Sequence, residues 1–446
     1  MDNDIIYLPI GVPTFHLESA QKEFEKSAAL LKSIDENIKV PDEMLLTVDK
    51  LNSFVADKRP VLIIVQNVTF ANGEYIAEVL RHFDCHILLW TLREPVIDGG
   101  RLRLNSLTGA FSAANMLKSF SRPFTYVLGS PEEDSVKSKI VSTVKAAKVR
   151  QELKNLNLLQ VGHTPSGFGF GRALDSEVMT VFGSKLISIE ARELIEKAKT
   201  FTDTEVAPYV EKANGMITCL DKIPENNVLD FARLFKAYDE YVKDNKIGAL
   251  SSRCWPDFFT SFGTPVCAVL SILNDLGVAA ACEADTYGAL SMFTAMKLTD
   301  KSVFFGDPVS LDESENTLTF WHCGMAPCSL AREDTGAAAG VHCNRKIGPT
   351  LDFGCKAYDK VTVMRIGKTA SGEFRVFTAS GKALDKPKQF NGTSIVVELD
   401  SNARQTVERA VNEGWEPHFV VAIGDIKEEI RILADMLGIT AEDFDA

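Results

Sequence analysis

The chain has 446 residues, of which 45% are hydrophobic and 24% charged, and its formal net charge is −13. This length predicts two or three domains, and the acidic balance argues against nucleic acid as a partner, because a phosphate-binding surface needs a basic face. The sequence shows no secretory signal and no apolar run near the roughly 20 residues that cross a bilayer, so we expect a cytoplasmic protein with no membrane partner.

The first part of the chain alternates strand and helix patterns. Its apolar runs predict strands at 5–10, 61–65, 86–90 and 124–128, and its amphipathic stretches predict helices at 17–31, 73–82 and 107–120. Alternation of this kind is typical of a parallel sheet with helices on both faces. A charged helix predicted at 131–153 leads into a second part.

The second part repeats the alternation. The sequence predicts helices at 228–242, 265–276 and 287–298, and strands at 158–161, 247–251, 278–282, 302–306 and 317–321. A glycine-rich segment, 162–171, follows neither the dinucleotide nor the P-loop template. It is either a loop that passes close to a substrate or a simple turn.

From about residue 356 the pattern changes. Strands rich in β-branched and aromatic residues are predicted at 361–366, 373–379 and 394–399, which favours an antiparallel, barrel-like sheet. Two helices and one strand then complete the chain. The predicted fold class is α/β: two Rossmann-like doubly wound parallel-sheet domains at 1–155 and 156–355, then a β-rich C-terminal domain with an antiparallel β-barrel and terminal helices at 356–446.

Two acidic residues, Glu283 and Asp307, each follow a short apolar run, with the predicted helix 287–298 between them. A strand–helix–strand crossover makes the two strands parallel and neighbouring, so both carboxylates are expected at the carboxyl edge of one sheet. Open α/β sheets bind their ligands at that edge. Two acids there repel, share a proton or hold a metal. The alternative is structural, because an acid after a strand often caps the next helix, as Asp285 could do.

Two histidines, His322 and His418, also fall at predicted strand ends. Two carboxylates with one or two imidazoles suit Mn²⁺, Co²⁺, Fe²⁺ or Mg²⁺ better than a closed structural zinc site. Such a metal would polarise a substrate carbonyl while a carboxylate moves a proton. The alternative is that either histidine is a packing residue.

The nine cysteines are scattered and lack the dense spacing of a disulfide scaffold, so we expect reduced thiols. Four of them follow His322, at 323, 328, 343 and 355, without the paired CxxC spacing that structural zinc sites use. The spacing therefore favours free thiols over a zinc cluster.

Six segments between 245 and 430 occur in an order and spacing that is fairly specific in combination. They are RCWP at 253–256, LNDLG at 273–277, CEAD at 282–285, GDP at 306–308, WHCGMAP at 321–327 and the strand behind His418. In these segments the C-terminal two thirds resembles the L-fucose isomerase and L-arabinose isomerase superfamily. The N-terminal part fits through its α/β character and the segment NSLTGAF at 105–111.

The resemblance implies a metal-dependent aldose–ketose isomerase that acts on a monosaccharide through a cis-enediol intermediate. It places the metal-binding acids on Glu283 and Asp307 and the C-terminal ligand on His418, with His322 as an additional ligand in the arabinose branch. The implied metal is Mn²⁺, with Co²⁺ or Mg²⁺ as substitutes. The two carboxylates would move the proton beside the metal, where the enediolate charge develops.

The resemblance also implies a homo-oligomer in which the N-terminal domain of one subunit covers the active site of another. Residues of the N-terminal part would then contact a neighbour's substrate, and two central residues are further candidates for substrate binding. The candidates are His16, Trp90, Arg101 and Asn105 from the N-terminal part, and Arg253 and Trp255 from the centre.

The substrate does not follow from the resemblance, because the chain is shorter than the fucose isomerases. A sulfonated or branched sugar is one alternative; Arg101, Arg103 and Arg253 would suit an anionic group, unless they are salt-bridge partners. A non-catalytic sugar-binding or sensor protein on an isomerase scaffold is a second alternative. A metal-dependent aldolase or epimerase is a third, because it would use similar ligands.

Overall fold

A computed structural model describes residues 4–445 of the chain. These residues form two compact units. Unit 1 comprises residues 4–151 and 431–437, and unit 2 comprises residues 152–430 and 438–445.

Unit 1 contains a four-stranded sheet in the order β1-β2-β3-β4, in which all neighbours are parallel. Its strands are β1 (Asp4–Ile10), β2 (Pro60–Asn67), β3 (His86–Thr91) and β4 (Phe124–Leu128). The helices are α1 (Leu17–Ile34), α2 (Val48–Val55), α3 (Glu74–His82), α4 (Ser106–Ser119) and α5 (Asp134–Asn155), the last of which continues into unit 2. The alternation and the parallel sheet predicted for this part are confirmed.

Unit 2 begins with a second four-stranded parallel sheet in the order β6-β5-β7-β8. Its strands are β5 (Asn157–Val161), β6 (Lys185–Ile189), β7 (Ile247–Ser252) and β8 (Ala279–Cys282). The helices of this part are α6 (Asp175–Phe182), α7 (Ala191–Lys199), α8 (Asp203–Asn214), α9 (Glu225–Asp244), α10 (Cys267–Asp275) and α11 (Thr286–Thr299). The sequence pattern predicted none of the elements between residues 175 and 214.

The second sheet of unit 2 closes into an antiparallel barrel of six strands, because its strands β15 and β16 pair with each other. The six are β9 (Phe304–Asp312), β10 (Thr317–His322), β14 (Tyr358–Lys368), β15 (Phe374–Leu384), β16 (Thr393–Leu399) and β17 (Phe419–Ile423). Short or edge strands are β11 (Ala339–Gly340), β12 (Thr350–Leu351), β13 (Phe353–Gly354) and β18 (Thr440–Asp443), and the last helices are α12 (Ala403–Asn412) and α13 (Lys427–Leu437). The predicted barrel is confirmed, and it also includes β9 and β10 from before residue 356.

The crossover predicted for Glu283 and Asp307 is wrong. Strand β8 lies in the parallel sheet, whereas β9 lies in the barrel, where it pairs antiparallel with β10 and β17. The helix between them explains the difference. Every residue of α11 is buried except Lys297 and Thr299, because the helix packs against strands of both sheets. A helix that is apolar on all faces belongs between two layers, and not on the outer face of one sheet.

Helix α11 is almost completely buried, but it has only 14 residues. Among residues 4–445, no helix combines the length and the apolar character that crossing a bilayer requires.

Candidate metal centre

Glu283 lies in the turn between β8 and α11, where the backbone takes an unusual course. Glu283 and Ala284 both have left-handed backbone conformations, with φ of 59° and 53°. Such conformations cost about 1–3 kcal/mol for residues other than glycine and cluster at functional sites. The next residue, Asp285, caps α11 by accepting a hydrogen bond of 2.9 Å from the Gly288 N–H. The tight turn thereby places two carboxylates, Glu283 and Asp285, at the end of β8.

The other three candidate residues come from neighbouring strands of the barrel. Asp307 lies within β9, opposite Trp321, just before a bulge in its pairing with β10. His322 is the last residue of β10, and His418 directly precedes β17. The two histidines are buried, with 2% and 1% of their surface exposed. Glu283 follows a strand of the parallel sheet, whereas Asp307, His322 and His418 lie on or beside strands of the barrel. The fold nevertheless brings all four predicted residues together.

The distances show how tightly these groups converge. His418 Nε2 lies 3.0 Å from Glu283 Oε2 and 3.4 Å from Asp307 Oδ1. One ligand atom from each of Glu283, His322 and His418 lies within 4.8 Å of the others, so these three could hold a metal ion. Three donor atoms at such spacing suit a cation, but the ligand roles of the individual residues remain predictions.

Asp285 has a second role that the sequence reasoning missed. Its carboxylate forms a two-bond ion pair with Arg365 of β14, at 2.5 and 3.0 Å, and also contacts His418 Nδ1 at 2.9 Å. The side chains of Asp285 and Arg365 are 1% and 0% exposed. The sequence did indicate a buried ion pair here, because Arg365 is the one charged residue of the predicted strand 361–366. Asp285 therefore fixes the orientation of the His418 ring.

The hydrogen bonds of the two histidines set opposite tautomers. The Nδ1 atom of His418 faces a carboxylate and must carry a hydrogen, which in the neutral ring leaves the Nε2 lone pair directed at Glu283 and Asp307. The Nδ1 atom of His322 accepts a hydrogen bond of 2.9 Å from the Cys323 N–H, so the hydrogen is on Nε2. That Nε2 atom is buried without a hydrogen-bond partner. His418 is thus suited to bind a cation, and His322 to donate a hydrogen bond.

The site shifts the pKa values of His418, Glu283 and Asp307 to different extents and in different directions. Burial disfavours a charged His418, but its hydrogen bonds to Asp285 and Glu283 outweigh burial and raise its pKa to about 10. Burial acts against an ionised Glu283 as well, yet the hydrogen bond from His418 lowers the pKa of Glu283 to about 2. For Asp307, burial dominates and raises the pKa to about 6. Without a metal, a His418 imidazolium therefore neutralises part of the acidic charge.

Aromatic side chains surround this cluster. The Trp255 indole N–H donates a hydrogen bond of 3.0 Å to Glu283 Oε1. The glycine-rich segment supplies Phe168 and Phe170, whose ring centroids lie 6.4 and 5.3 Å from that of His418. Of the two alternatives left open for this segment, a loop beside the site agrees with the structure. Sequence reasoning did not identify Phe168 or Phe170.

A cavity of about 230 Å³ adjoins Glu283 and Trp255. Its other lining residues are Cys254, Cys267, Cys282, Cys323, His342, Asn344 and Arg345. All nine cysteines of the chain are free thiols. Arg253, which was predicted to contact substrate, is not part of this lining, and it forms an ion pair of 2.8 Å with Asp257.

The four N-terminal candidates lie in unit 1. Trp90 is completely buried and donates its indole N–H to the Gly129 carbonyl, so its ring is a core residue with no free surface for a sugar. His16 caps α1 through a contact with Ser19. Arg101 is exposed and donates to the Thr14 carbonyl, and Asn105 donates its backbone N–H to Glu94. Trp90 therefore has a packing role, and the substrate roles of His16, Arg101 and Asn105 remain predictions.

No protein-family model matches the chain. Individual proteins do: a sulfoquinovose isomerase of Clostridium sp. (strain MSTE9) is 57% identical over 439 residues, which are 98% of both chains. The sulfoquinovose isomerases of Priestia aryabhattai and Alkalicoccus urumqiensis are each 36% identical, over 98% and 99% of both chains. The chain belongs to the sulfoquinovose isomerase family. The prediction of an aldose–ketose isomerase is confirmed, and the alternative of a non-catalytic binding protein is not.

Within the sulfoquinovose isomerase family, this chain thus places a possible metal-binding group beside a cavity. The arrangement combines the ionised carboxylate of Glu283, the carboxyl of Asp307, whose pKa is raised, and the buried hydrogen-bond donor of His322. These are the groups that moving a proton between two sugar carbons requires.

Proposed function

We propose that the protein interconverts sulfoquinovose and the corresponding 6-sulfonated ketose. Sulfoquinovose is glucose with a sulfonate in place of the C6 hydroxyl group, and a sulfonated sugar is one of the alternatives that the sequence left open. The observation that carries this proposal is the 57% identity to a sulfoquinovose isomerase over 98% of the chain.

We further propose that Glu283, Asp307 and His418 hold a divalent metal, most suitably Mn²⁺, with Co²⁺ or Mg²⁺ as substitutes. The fit rests on three donors: the carboxylates of Glu283 and Asp307 lie within 3.4 Å of His418 Nε2, and the lone pair of that nitrogen is the third. Oxygen-rich donor sets with one imidazole suit these cations. When bound, the cation would polarise the sugar carbonyl and stabilise negative charge on the neighbouring oxygens.

Transfer of the carbon-bound proton is assigned to Asp307, with Glu283 beside it as a fixed negative charge. Aldose–ketose conversion through a cis-enediol moves one proton from C2 to C1 of the sugar and a second proton from the C2 hydroxyl group to the oxygen on C1. Asp307 takes and returns the carbon-bound proton, because burial raises the pKa of its carboxyl in the metal-free protein, to about 6, and so makes it a stronger base than an exposed aspartate. Glu283, with a pKa of about 2, remains ionised and keeps its charge in the site throughout.

His322 is assigned to donate a hydrogen bond from Nε2 to a sugar oxygen, and not to bind the metal. We expect His322→Ala to lower kcat by about 10²-fold, the loss typical of one preorganised donor. Metal affinity, measured by calorimetry, should stay unchanged, and His322→Gln should recover part of kcat because glutamine keeps an N–H donor. A large loss of metal affinity in His322→Ala would instead identify His322 as a ligand.

Membership of the L-fucose and L-arabinose isomerase superfamily remains a proposal, as do the domain boundaries at 155 and 355 and the cytoplasmic location. We also propose a homo-oligomer whose active site lies at a subunit interface. Exposed apolar side chains in one segment of unit 1 support this assembly. They are Val96, Ile97, Leu102, Leu107 and Phe111, with exposures between 42% and 93%.

The proposed function is tested by NMR of sulfoquinovose with the purified protein in D₂O. With Mn²⁺ present, we expect a sulfonated ketose that carries deuterium at C1, because the enediol takes its proton from groups that exchange with solvent. EDTA should stop the reaction, and Mn²⁺ or Co²⁺ should restore it. An unchanged sulfoquinovose spectrum with every divalent metal would refute the proposed substrate.

A further inference from the structure

Arg345 is an arginine without a carboxylate partner in an acid-rich chain. The protein has 61 acidic and 48 basic residues, which favours pairing of its cations. Among residues 4–445, however, no carboxylate forms an ion pair with Arg345. Arg253, another candidate for binding an anionic group, forms an ion pair of 2.8 Å with Asp257.

The Arg345 guanidinium is held in place by aromatic rings. Its Cζ atom lies 5.6 Å from the Trp255 ring centroid and 5.1 Å from that of Phe259. Stacking on aromatic faces orients the plane of a guanidinium while its N–H edges stay free for hydrogen bonds. Arg345 is therefore oriented by apolar surface, and its hydrogen-bonding capacity is left for a ligand.

The loop that carries Arg345 is itself well fixed. His342 Nδ1 accepts hydrogen bonds from the backbone N–H groups of Asn344 and Arg345, at 3.3 and 3.4 Å. The His342 backbone pairs with Ile347 and Lys346 to close a tight turn. The His342 ring is buried and packs edge-on against Phe259. A preorganised loop of this kind holds its side chain ready for a ligand at low entropic cost.

Arg345 lines the same cavity as Glu283, together with Asn344. A molecule that fills this cavity contacts the candidate metal centre at one point and the guanidinium at another. Guanidinium groups bind tetrahedral oxyanions through paired N–H donors. We propose that Arg345 is the residue that recognises the sulfonate of the substrate, assisted by Asn344. This inference rests on the proposed function and names a specificity-determining residue for it.

The test compares Arg345→Met and Arg345→Lys with the wild-type holoenzyme in sulfoquinovose turnover. Methionine keeps an unbranched side chain on the two rings but removes the charge and the donors. We expect kcat/KM to fall by about 10- to 150-fold in Arg345→Met, the range for losing hydrogen bonds to a charged group. Most of this loss should be in KM, because the sulfonate is remote from the reacting carbons. Arg345→Lys should recover part of it.

Two controls separate recognition from a structural role. Lys346→Asn removes the same charge from the next, exposed residue, which does not line the cavity; asparagine tolerates the left-handed backbone there, with φ of 58°. This variant should keep wild-type kinetics. The inhibition constant of glucitol, a neutral sugar alcohol, should be unchanged in Arg345→Met.

Three outcomes are informative. Wild-type KM in Arg345→Met, or an equal weakening of glucitol and sulfoquinovose, would overturn the role of Arg345 while leaving the proposed function intact. A selective loss for sulfoquinovose would support it. If the wild-type enzyme itself does not convert sulfoquinovose, the proposed function fails, and the sulfonate assignment is overturned with it.

Discussion

Replacing Asp307 by asparagine is expected to reduce kcat by at least about 10³-fold, because the variant loses both the proton-transferring carboxyl and a charged metal ligand. The asparagine side chain has almost the same shape, so the fold should persist. Burial raises the pKa of Asp307 to about 6, which means that the ionised carboxylate is unfavourable in the folded protein at neutral pH. A neutral amide should therefore not lower the free energy of unfolding.

The measurement is turnover of sulfoquinovose under saturating Mn²⁺, with denaturant unfolding of the metal-free proteins. Asp312→Asn provides a matched control, since Asp312 is an exposed acid at the far end of the same strand, β9. The control should retain wild-type kcat. Turnover by Asp307→Asn within tenfold of the wild type would remove Asp307 from the mechanism.

The second large effect is expected from Asp285→Asn. This change removes one partner of the buried pair with Arg365 and leaves an uncompensated guanidinium in the core. Breaking a buried pair in this way typically costs about 3–5 kcal/mol of unfolding free energy. The variant also loses the carboxylate that orients His418, so metal affinity should fall by about 10- to 100-fold. Asparagine can still cap α11, so the loss would not come from the helix end.

The pH dependence of this effect has a defined sign. Burial opposes ionisation of Asp285, but the Arg365 guanidinium and the bond to His418 hold its pKa far below the ordinary value. The stabilisation is therefore fully present above the unfolded pKa of about 3.9 and is lost as the pH falls toward the folded pKa. Urea unfolding at pH 7 and pH 5 should give the same difference between wild type and variant.

A surface acid-to-amide change serves as the comparison. Glu408→Gln breaks an exposed i,i+4 pair with Arg404 on α12, and such pairs contribute about 0.3–0.5 kcal/mol. If Asp285→Asn is no more destabilising than Glu408→Gln, the buried pair does not have the role assigned to it. Metal titration of both variants by calorimetry then tests the orientation of His418 independently of stability.

Much of the fold and part of the site could be predicted from the sequence. The parallel sheets follow from alternating apolar runs and helices, and the barrel follows from β-branched strands without helices between them. Glu283, Asp307, His322 and His418 stand out because each is a polar residue at one end of a short apolar run. Local pattern is sufficient for such features, since each depends on a short stretch of chain.

The remaining features depend on contacts between distant parts of the chain. Periodicity does not reveal that Asp285 meets Arg365, 80 positions away, or His418, 133 positions away. The error over β8 and β9 has the same origin, because a strand–helix–strand pattern does not specify that the helix is covered on both sides. The composition of α11 did indicate this arrangement, because apolar residues occupy every face of the helix.

The candidate ligands are divided between two sheets, and this division affects more than the chemistry. Glu283 extends from the parallel sheet and His418 from the barrel, and the two residues are 135 positions apart. A cation bound by both would act as a reversible cross-link between the two layers of unit 2. Since only the folded arrangement offers these ligands together, metal binding adds directly to the free energy of unfolding. The supply of metal would then set how long this enzyme survives, as well as how fast it works.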